Sequence, residues 1–557
     1  MRMSFRSTAC LWLLTAASGA CGTHGGHAPA PFDLLIVNGR IVDGTGNPWY
    51  RGDIAVQGGR IVEIGRLDGR PATRRIDAKD RIVSPGFIDM MAGTTVPLVA
   101  DPPSAESKLR QGVTTILVGE GGSVAPQNDV TSKTPAEDEE GLPVTWKTFA
   151  QYFAILEQRG IGLNVVHDVG AAQVRRIVIG EEDRQPSPEQ LAEMKRLVEE
   201  AMTDGAVGIS TALIYPPGSY ATTEELIELS KVAAAHHGIY LSHMRNESAG
   251  VLDAIRETIR IGEEAHLPVH VYHLKAAGQD NWPLMTAALN LIAEARARGI
   301  DITADIYPYV RNGIGLGSFL HPRHYARGAE PFIRTLGDSS VRQELRREVE
   351  TTTDWENWYR HVGRNWDNVL ITSVGPNGNK AFVGLSVKQV ADTRGVDQWD
   401  AFFDLVQAGN IGVAPKSMNE DQKREALRAP FVSIDTDSSP TNPASVPSAH
   451  PRTFGTFARV LGEYVRTRGL LRLEDAVRKM SSLPANLLML TDRGRIATGM
   501  AADLLVFDPG HVKDTATYAK PLSYAVGYDD VIVNGQVAID EGKATGVKAG
   551  AVLRHGR

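Results

Sequence analysis

Two histidines and several carboxylates stand where apolar runs end, and that placement is the first chemical signal in the chain. Tyr240-Leu241-Ser242 runs into His243, Val271-Tyr272 into His273, Thr114 to Gly119 into Glu120, and Val432-Ser433-Ile434 into Asp435 and Asp437. Imidazole and carboxylate bind zinc at roughly 2.0–2.2 Å, and a set of them with one open position lowers the pKa of bound water to about 7. A further carboxylate can then move the proton. The chemistry implied is metal-assisted hydrolysis. Each residue alone also reads as an ordinary hydrogen-bonded strand-end group, so the argument rests on their joint occurrence on separate strands. His270 points opposite to His273 along its strand, and His236-His237 lies in a helical stretch, so these three are set aside.

Something must hold those strand ends together. Apolar strands alternate with helical stretches at Ile82 to Asp89, Thr114 to Gly119, Leu163 to His167, Ala206 to Ser210, Ile239 to His243, Val269 to His273, Ile302 to Tyr307 and Phe431 to Asp437. Eight such units predict an α/β fold, a (β/α)8 TIM-like barrel whose chemistry sits on the rim at the carboxyl ends of the strands. The gap from Arg311 to Pro430 exceeds one unit, which predicts an insertion over about residues 312–428 between late barrel units, able to cover the mouth. Short strands with turn residues recur at both ends of the chain, and Val-Asn-Gly appears at Val37-Asn38-Gly39 and at Val533-Asn534-Gly535, where Asn-Gly suits a tight turn. We therefore expect a small β-sandwich domain built from 32–82 with 490–545, and a barrel over 83–489.

Composition removes other classes. The 557 residues, 42% hydrophobic and 22% charged, can bury a large core and exclude a disordered chain. Lys and Arg total 59 against 66 acids, which gives no basic footprint for nucleic acid and leaves a small-molecule partner. Both cysteines, Cys10 and Cys21, precede the folded body, so any metal is held by nitrogen and oxygen. Arg2 and Arg6, the apolar Leu11-Trp12-Leu13-Leu14 and the small residues Ala16 to Ala20 form a secretory signal pattern over 1–21, with an exported or envelope location as its consequence. Ser18-Gly19-Ala20-Cys21 also resembles a weak lipobox, so Cys21 is a candidate lipid anchor. No later apolar run has the roughly 18 residues a membrane span needs.

The ordered motifs Ser84-Pro85-Gly86-Phe87-Ile88-Asp89, Gly119-Glu120-Gly121-Gly122-Ser123, Ser242-His243-Met244-Arg245-Asn246-Glu247, Tyr272-His273-Leu274-Lys275, His450-Pro451-Arg452-Thr453-Phe454-Gly455 and Ala502-Asp503-Leu504-Leu505 carry a wider resemblance. Over essentially the whole mature chain, the sequence resembles the amidohydrolase superfamily and, within it, the D-aminoacylase or N-acyl-D-amino-acid deacylase group. The resemblance implies zinc-dependent hydrolysis of the amide of an N-acyl-D-amino acid by a metal-activated water. His243 and His273 match metal-binding histidines, Glu120 stands where better-known members carry a cysteine ligand, and Asp437 matches the catalytic aspartate acting as base and then acid. Lys275, Tyr307 and, more weakly, Arg452 match contacts for the substrate carboxylate. One departure matters: the usual His-x-His pair after Pro-Gly-Phe-Ile-Asp is Met91 and Gly93 here. We therefore expect one tightly held zinc ion, with His167 as a candidate to compensate for the missing pair. Dipeptide or cyclic-amide hydrolysis, and a non-catalytic binding protein that has lost the pair, are the alternatives.

Overall fold

Eight short runs rich in β-branched and apolar residues are buried along their whole length, as strands covered on both faces must be. They are Phe87–Asp89, Val113–Val118, Asn164–His167, Gly208–Ala212, Ile239–His243, Val269–Val271, Ile302–Ile306 and Val432–Ile434. The computed structural model describes residues 31–133, 142–353, 355–375 and 378–556. The signal segment and Cys21 fall outside the described residues.

Neighbouring strands pair in parallel in chain order. Asn164–His167 continues as Val169–Gly170 and passes the ladder to Gly208–Ala212, with Val207 donating its N–H to His167 O at 2.8 Å. The ring closes where Asp437 donates its N–H to Met91 O at 3.0 Å. Outer helices bury one face at i, i+4 spacing. Val251–Ala265, for example, hides Ala254, Ile255, Thr258, Ile259 and Gly262.

The sequence reads Ile82 to Asp89 as one barrel strand, but the structure divides it at Gly86. Ile82–Pro85 pairs with Phe32–Ile41 and Leu504–Phe507, and only Phe87–Asp89 enters the barrel. A Cβ at residue 86 would lie 2.1 Å from Thr114 Oγ1, so the chain crosses between the two sheets where only glycine fits. Ile82–Pro85 thus joins strands from both ends of the chain in one nine-stranded sheet. Its period of two sends Leu504, Val506 and Ile532 into the sheet's own core, while Leu505, Phe507, Val531 and Val533 pack on the barrel.

Two further strands end earlier than the apolar pattern suggests, at Val271 and Ile434. His273 and Asp437 follow them with φ of +35° and +46°. Both residues singled out for chemistry therefore sit in a backbone region that side-chain-bearing residues seldom occupy, held there by surrounding structure. Between the last two barrel strands, Ile314–Gly315, Val369–Val374 and Ile411–Pro415 form an antiparallel sheet. With helices such as Ser339–Thr351 and Gln398–Ala408 this insertion builds its own core around Phe319, Trp358, Trp366, Trp399 and Phe402. Among the described residues, no helix is long and apolar enough to cross a membrane.

Candidate metal centre

Glu120, His243 and His273 leave the second, fifth and sixth barrel strands and meet at the rim, each offering one ligand atom within 4.8 Å of the others. His243 Nδ1 lies 2.8 Å and His273 Nε2 2.9 Å from the same oxygen, Glu120 Oε1. The imidazole rings stand at 84° with centroids 4.5 Å apart. Burial alone would raise the Glu120 pKa, but the hydrogen bonds and charges of the two histidines hold it down at about 2, so it stands ionised. Two nitrogens and one carboxylate oxygen converging on one point suit zinc, and the far nitrogen of His243, Nε2, is buried without a hydrogen bond, 3.8 Å from Glu247 Oε2. The donor set fits a divalent ion with room for a further ligand.

Glu247, which the sequence reading quoted in a motif but assigned no role, orients this group. Its Oε1 lies 2.9 Å from His273 Nδ1 and accepts a 2.6 Å hydrogen bond from Lys275 Nζ. Such a carboxylate fixes the imidazole tautomer so that the opposite nitrogen faces the metal. Burial opposes the charge on Glu247, yet Lys275, His243 and His273 outweigh it and hold its pKa well below the usual value. Behind it, Glu356 of the insertion accepts the Glu247 N–H at 2.7 Å, and burial beside the Glu247 charge raises the Glu356 pKa to about 8. A signal for Glu247 did exist: it stands four residues after His243 in a loop at the rim.

Asp437 lies at the same rim with its side chain 17% exposed, and its charge acts on both His273 and Tyr215. Arg452 NH1 reaches Asp437 Oδ2 at 2.5 Å. Lys108, wholly buried, donates to Asp89, Thr436 and the Ser438 carbonyl, which fixes the loop carrying Asp437. Tyr307 is fully buried with its hydroxyl unpartnered, and Arg452 packs on its ring. Lys275 is engaged by Glu247 and lies 2.8 Å from His273 Nδ1, 5.7 Å from the Tyr307 ring centre.

The remaining expected residues fall elsewhere. His167 is not part of the ligand group; it packs among Phe149, Tyr152 and Phe153 with Nε2 3.2 Å from Thr95 Oγ1, and burial pulls its pKa down to about 3. Its ring turns into an aromatic pocket instead of toward the ligand group, so it does not supply a ligand in place of Met91 and Gly93. Met91 is buried with Ile88, Leu117 and Leu241. At Gly93, φ is +66° and a Cβ would lie 2.2 Å from Ser439 Oγ, so the last barrel loop fills the space a side chain there would need. Next to the ligand group, a cavity of about 1680 Å³ opens between the barrel rim at Tyr215 and Arg245 and the insertion at Leu316, Trp355 and Glu356. Tyr215 stands edge-on to His243 with ring centroids 5.4 Å apart, which connects cavity and ligand group.

A parallel barrel with imidazole and carboxylate ligands on its rim, an acid from the eighth strand and an adjoining cavity defines the class of metal-dependent barrel hydrolases. Comparison with known proteins agrees. The amidohydrolase family model matches residues 74–539. A D-aminoacylase of Alcaligenes xylosoxydans xylosoxydans is 35% identical over 525 residues, 94% of this chain and 98% of the relative. The crystal structure of the N-acyl-D-glutamate deacylase of Bordetella bronchiseptica, complexed with zinc and a phosphonate mimic of the tetrahedral intermediate, superimposes with a TM-score of 0.79 at 31% identity, covering 94% of this chain and 100% of that one. A D-aminoacylase structure whose binuclear metal centre is described in terms of one-metal activation and second-metal attenuation matches equally, with a TM-score of 0.79, 32% identity and the same coverage. The chain belongs to the amidohydrolase family, in its D-aminoacylase branch.

Proposed function

We propose that this protein hydrolyses the amide bond of N-acyl-D-amino acids with a single zinc ion held by Glu120, His243 and His273. The observation that carries the reading is the convergence of those three ligand atoms within 4.8 Å at the barrel rim. One ion rather than two is supported by Met91 and Gly93, since neither offers a ligand and Ser439 occupies the space beside residue 93. Zinc in such a site supplies Lewis acidity, polarising a carbonyl and making water acidic near neutral pH.

The chain's own groups do the rest. Glu247 fixes the tautomer of His273, and Lys275 balances Glu247. Asp437 takes a proton from the attacking water as the new C–O bond forms, then delivers it to the amine nitrogen as the C–N bond breaks. Tyr307 and Arg452, with Lys275 behind them, face the substrate carboxylate. Water and amide are consumed, and a carboxylic acid and a D-amino acid are released. The secretory pattern at Met1 to Ala20 supports an exported enzyme, with Cys21 a candidate anchor.

The test is a rate panel on purified protein with zinc measured in the same sample, using N-acetyl-D- and L-amino acids, D-containing dipeptides and cyclic imides. Turnover confined to N-acetyl-D-amino acids at one zinc per chain is expected. Two tightly held equivalents would overturn the single-ion reading, and turnover of dipeptides or cyclic imides alone would overturn the substrate class.

A further inference from the structure

Three cations surround the Tyr307 ring. Lys423 Nζ, Arg452 Cζ and Lys275 Nζ lie 4.4, 4.8 and 5.7 Å from its centre. Two are already balanced, Lys275 by Glu247 and Arg452 by Asp437. Lys423 is not. It is 1% exposed, its Nζ has no hydrogen-bond partner, and the carboxylates whose charge reaches it, Asp435, Glu420 and Glu247, form no ion pair with it among the described residues.

Its position is built. The helix Glu420–Arg428 begins at Asn419, whose side chain caps it, and Gln422 clamps Ala276 through both its N–H and its carbonyl at 3.1 Å. The first turn is thereby tied to the segment that follows His273 and Lys275, and Lys423, the next residue, is directed onto the Tyr307 face. Keeping an ammonium there without a counter-charge costs stability, because it leaves water with nothing to replace its hydration. Burial accordingly pulls its pKa down to about 7. Beside it the Tyr307 hydroxyl and both oxygens of Asp435 are also unpartnered. Burial and the charges of Asp305 and Asp437 push the Asp435 pKa well above the usual value, which weakens it as a counter-charge for Lys423, and the two form no ion pair.

We propose that Lys423, with the Tyr307 hydroxyl, is an anchor for a substrate carboxylate, its missing counter-ion being supplied by the substrate itself. The inference rests on the deacylase reading and assigns to it a residue outside the expected set. The carboxylate is either the α-carboxylate or the side chain of an acidic D-amino acid; the chemistry is the same, and the experiment separates them.

Zinc-loaded wild type, Lys423→Met and Lys423→Arg are compared on two substrate pairs. These are N-acetyl-D-alanine against its primary amide, and N-acetyl-D-glutamate against N-acetyl-D-glutamine. In one pair the wild-type preference for the acid, read as kcat/KM, should fall by about 10- to 100-fold in Lys423→Met, the range for a hydrogen bond to a charged partner. The loss should lie mainly in KM, and Lys423→Arg should keep more of the preference. Melting of Lys423→Met should occur at an unchanged or higher temperature, because an unpaired buried charge has been removed. Unchanged acid preference in both pairs overturns the proposal, as does a lower melting temperature with acid preference intact, which would mark a structural role. If wild type turns over none of the four compounds, the deacylase reading fails. The anchor is then tested by calorimetric binding of the same four to the zinc-loaded proteins, where an acid preference lost in Lys423→Met supports it and equal binding overturns it.

Discussion

Replacing Glu247 by Gln tests whether the ligand group is held by the charge behind it. One oxygen of Glu247 serves both Lys275 Nζ at 2.6 Å and His273 Nδ1 at 2.9 Å, and its side chain is 2% exposed. A hydrogen bond to a charged group contributes about 1.5–3 kcal/mol, against about 1 kcal/mol for a neutral one. Removing the charge while keeping an amide oxygen should therefore weaken each contact by roughly 1 kcal/mol. Only the share that acts through His273 reaches the metal, and losses of outer partners of this kind lower metal affinity about 10- to 100-fold. Competition with a chelator gives the zinc Kd, which should rise by that factor in Glu247→Gln, while kcat at saturating zinc falls less. Thermal melting of the metal-free variant guards against general unfolding, and Glu247→Asp, which keeps the charge on a shorter stem, should fall between. An unchanged zinc Kd in a folded Glu247→Gln protein would refute the reasoning.

Asp437→Asn should retain zinc in metal analysis while kcat drops about 10²- to 10⁴-fold, the usual contribution of a proton-transfer group; near-normal turnover would remove Asp437 from that role. Gly93→His should not create a second ion site, because φ of +66° strains any side chain there and Ser439, with Oγ at 2.2 Å and its backbone N at 3.2 Å, must shift to admit one. That variant should unfold at lower denaturant by about 1–3 kcal/mol with bound zinc unchanged, and a gain of one equivalent would contradict the geometry. His167 carries a pH signature. Its folded pKa of about 3 lies below the ordinary 6.5, so the unfolded chain binds the proton first. Its contribution is complete above pH 6.5 and is lost as pH falls toward 3, by up to about 1.4 kcal/mol per pH unit. His167→Phe should flatten the acid limb of stability measured by urea unfolding between pH 4 and 6, and an unaltered slope would show that the ring is not buried neutral.

Strand ends were legible because a strand buried on both faces leaves an unbroken apolar run, and the first polar residue after it marks the rim. That logic finds His243, His273, Glu120 and Asp437. It misses the break at Gly86, because Ile82 to Asp89 is equally apolar on both sides of the crossing and only Thr114, distant in sequence, requires glycine there. The same logic marks His167, which ends an apolar strand like the others but turns into an aromatic pocket formed by Phe149, Tyr152 and Phe153. Glu247 and Lys423 were missed for a different reason. Neither ends a strand, and each acquires its role from residues far along the chain: Glu247 from His273 and Lys275, Lys423 from Tyr307.

Met91 and Gly93 offer no ligand, which raises the question whether the rim can still work, and the buried polar groups answer it in energetic terms. His243 Nε2, the Lys423 ammonium, the Tyr307 hydroxyl and the Asp435 carboxyl are all buried without hydrogen-bond partners. Each such group commonly costs a domain about 1–3 kcal/mol, and a charged one more. Selection for stability alone would replace them with apolar side chains of similar volume, since a barrel freed from catalysis gains by doing so. Residues 91 and 93 behave in the opposite sense. Met91 packs into an apolar cluster while its carbonyl still receives the Asp437 N–H, and Gly93 lets Ser439 close the space beside it. The half of the rim that holds no ligand is therefore packed and satisfied, while the costly groups around Glu120, His243 and His273 are not, the pattern expected where a ligand and a substrate complete the missing contacts.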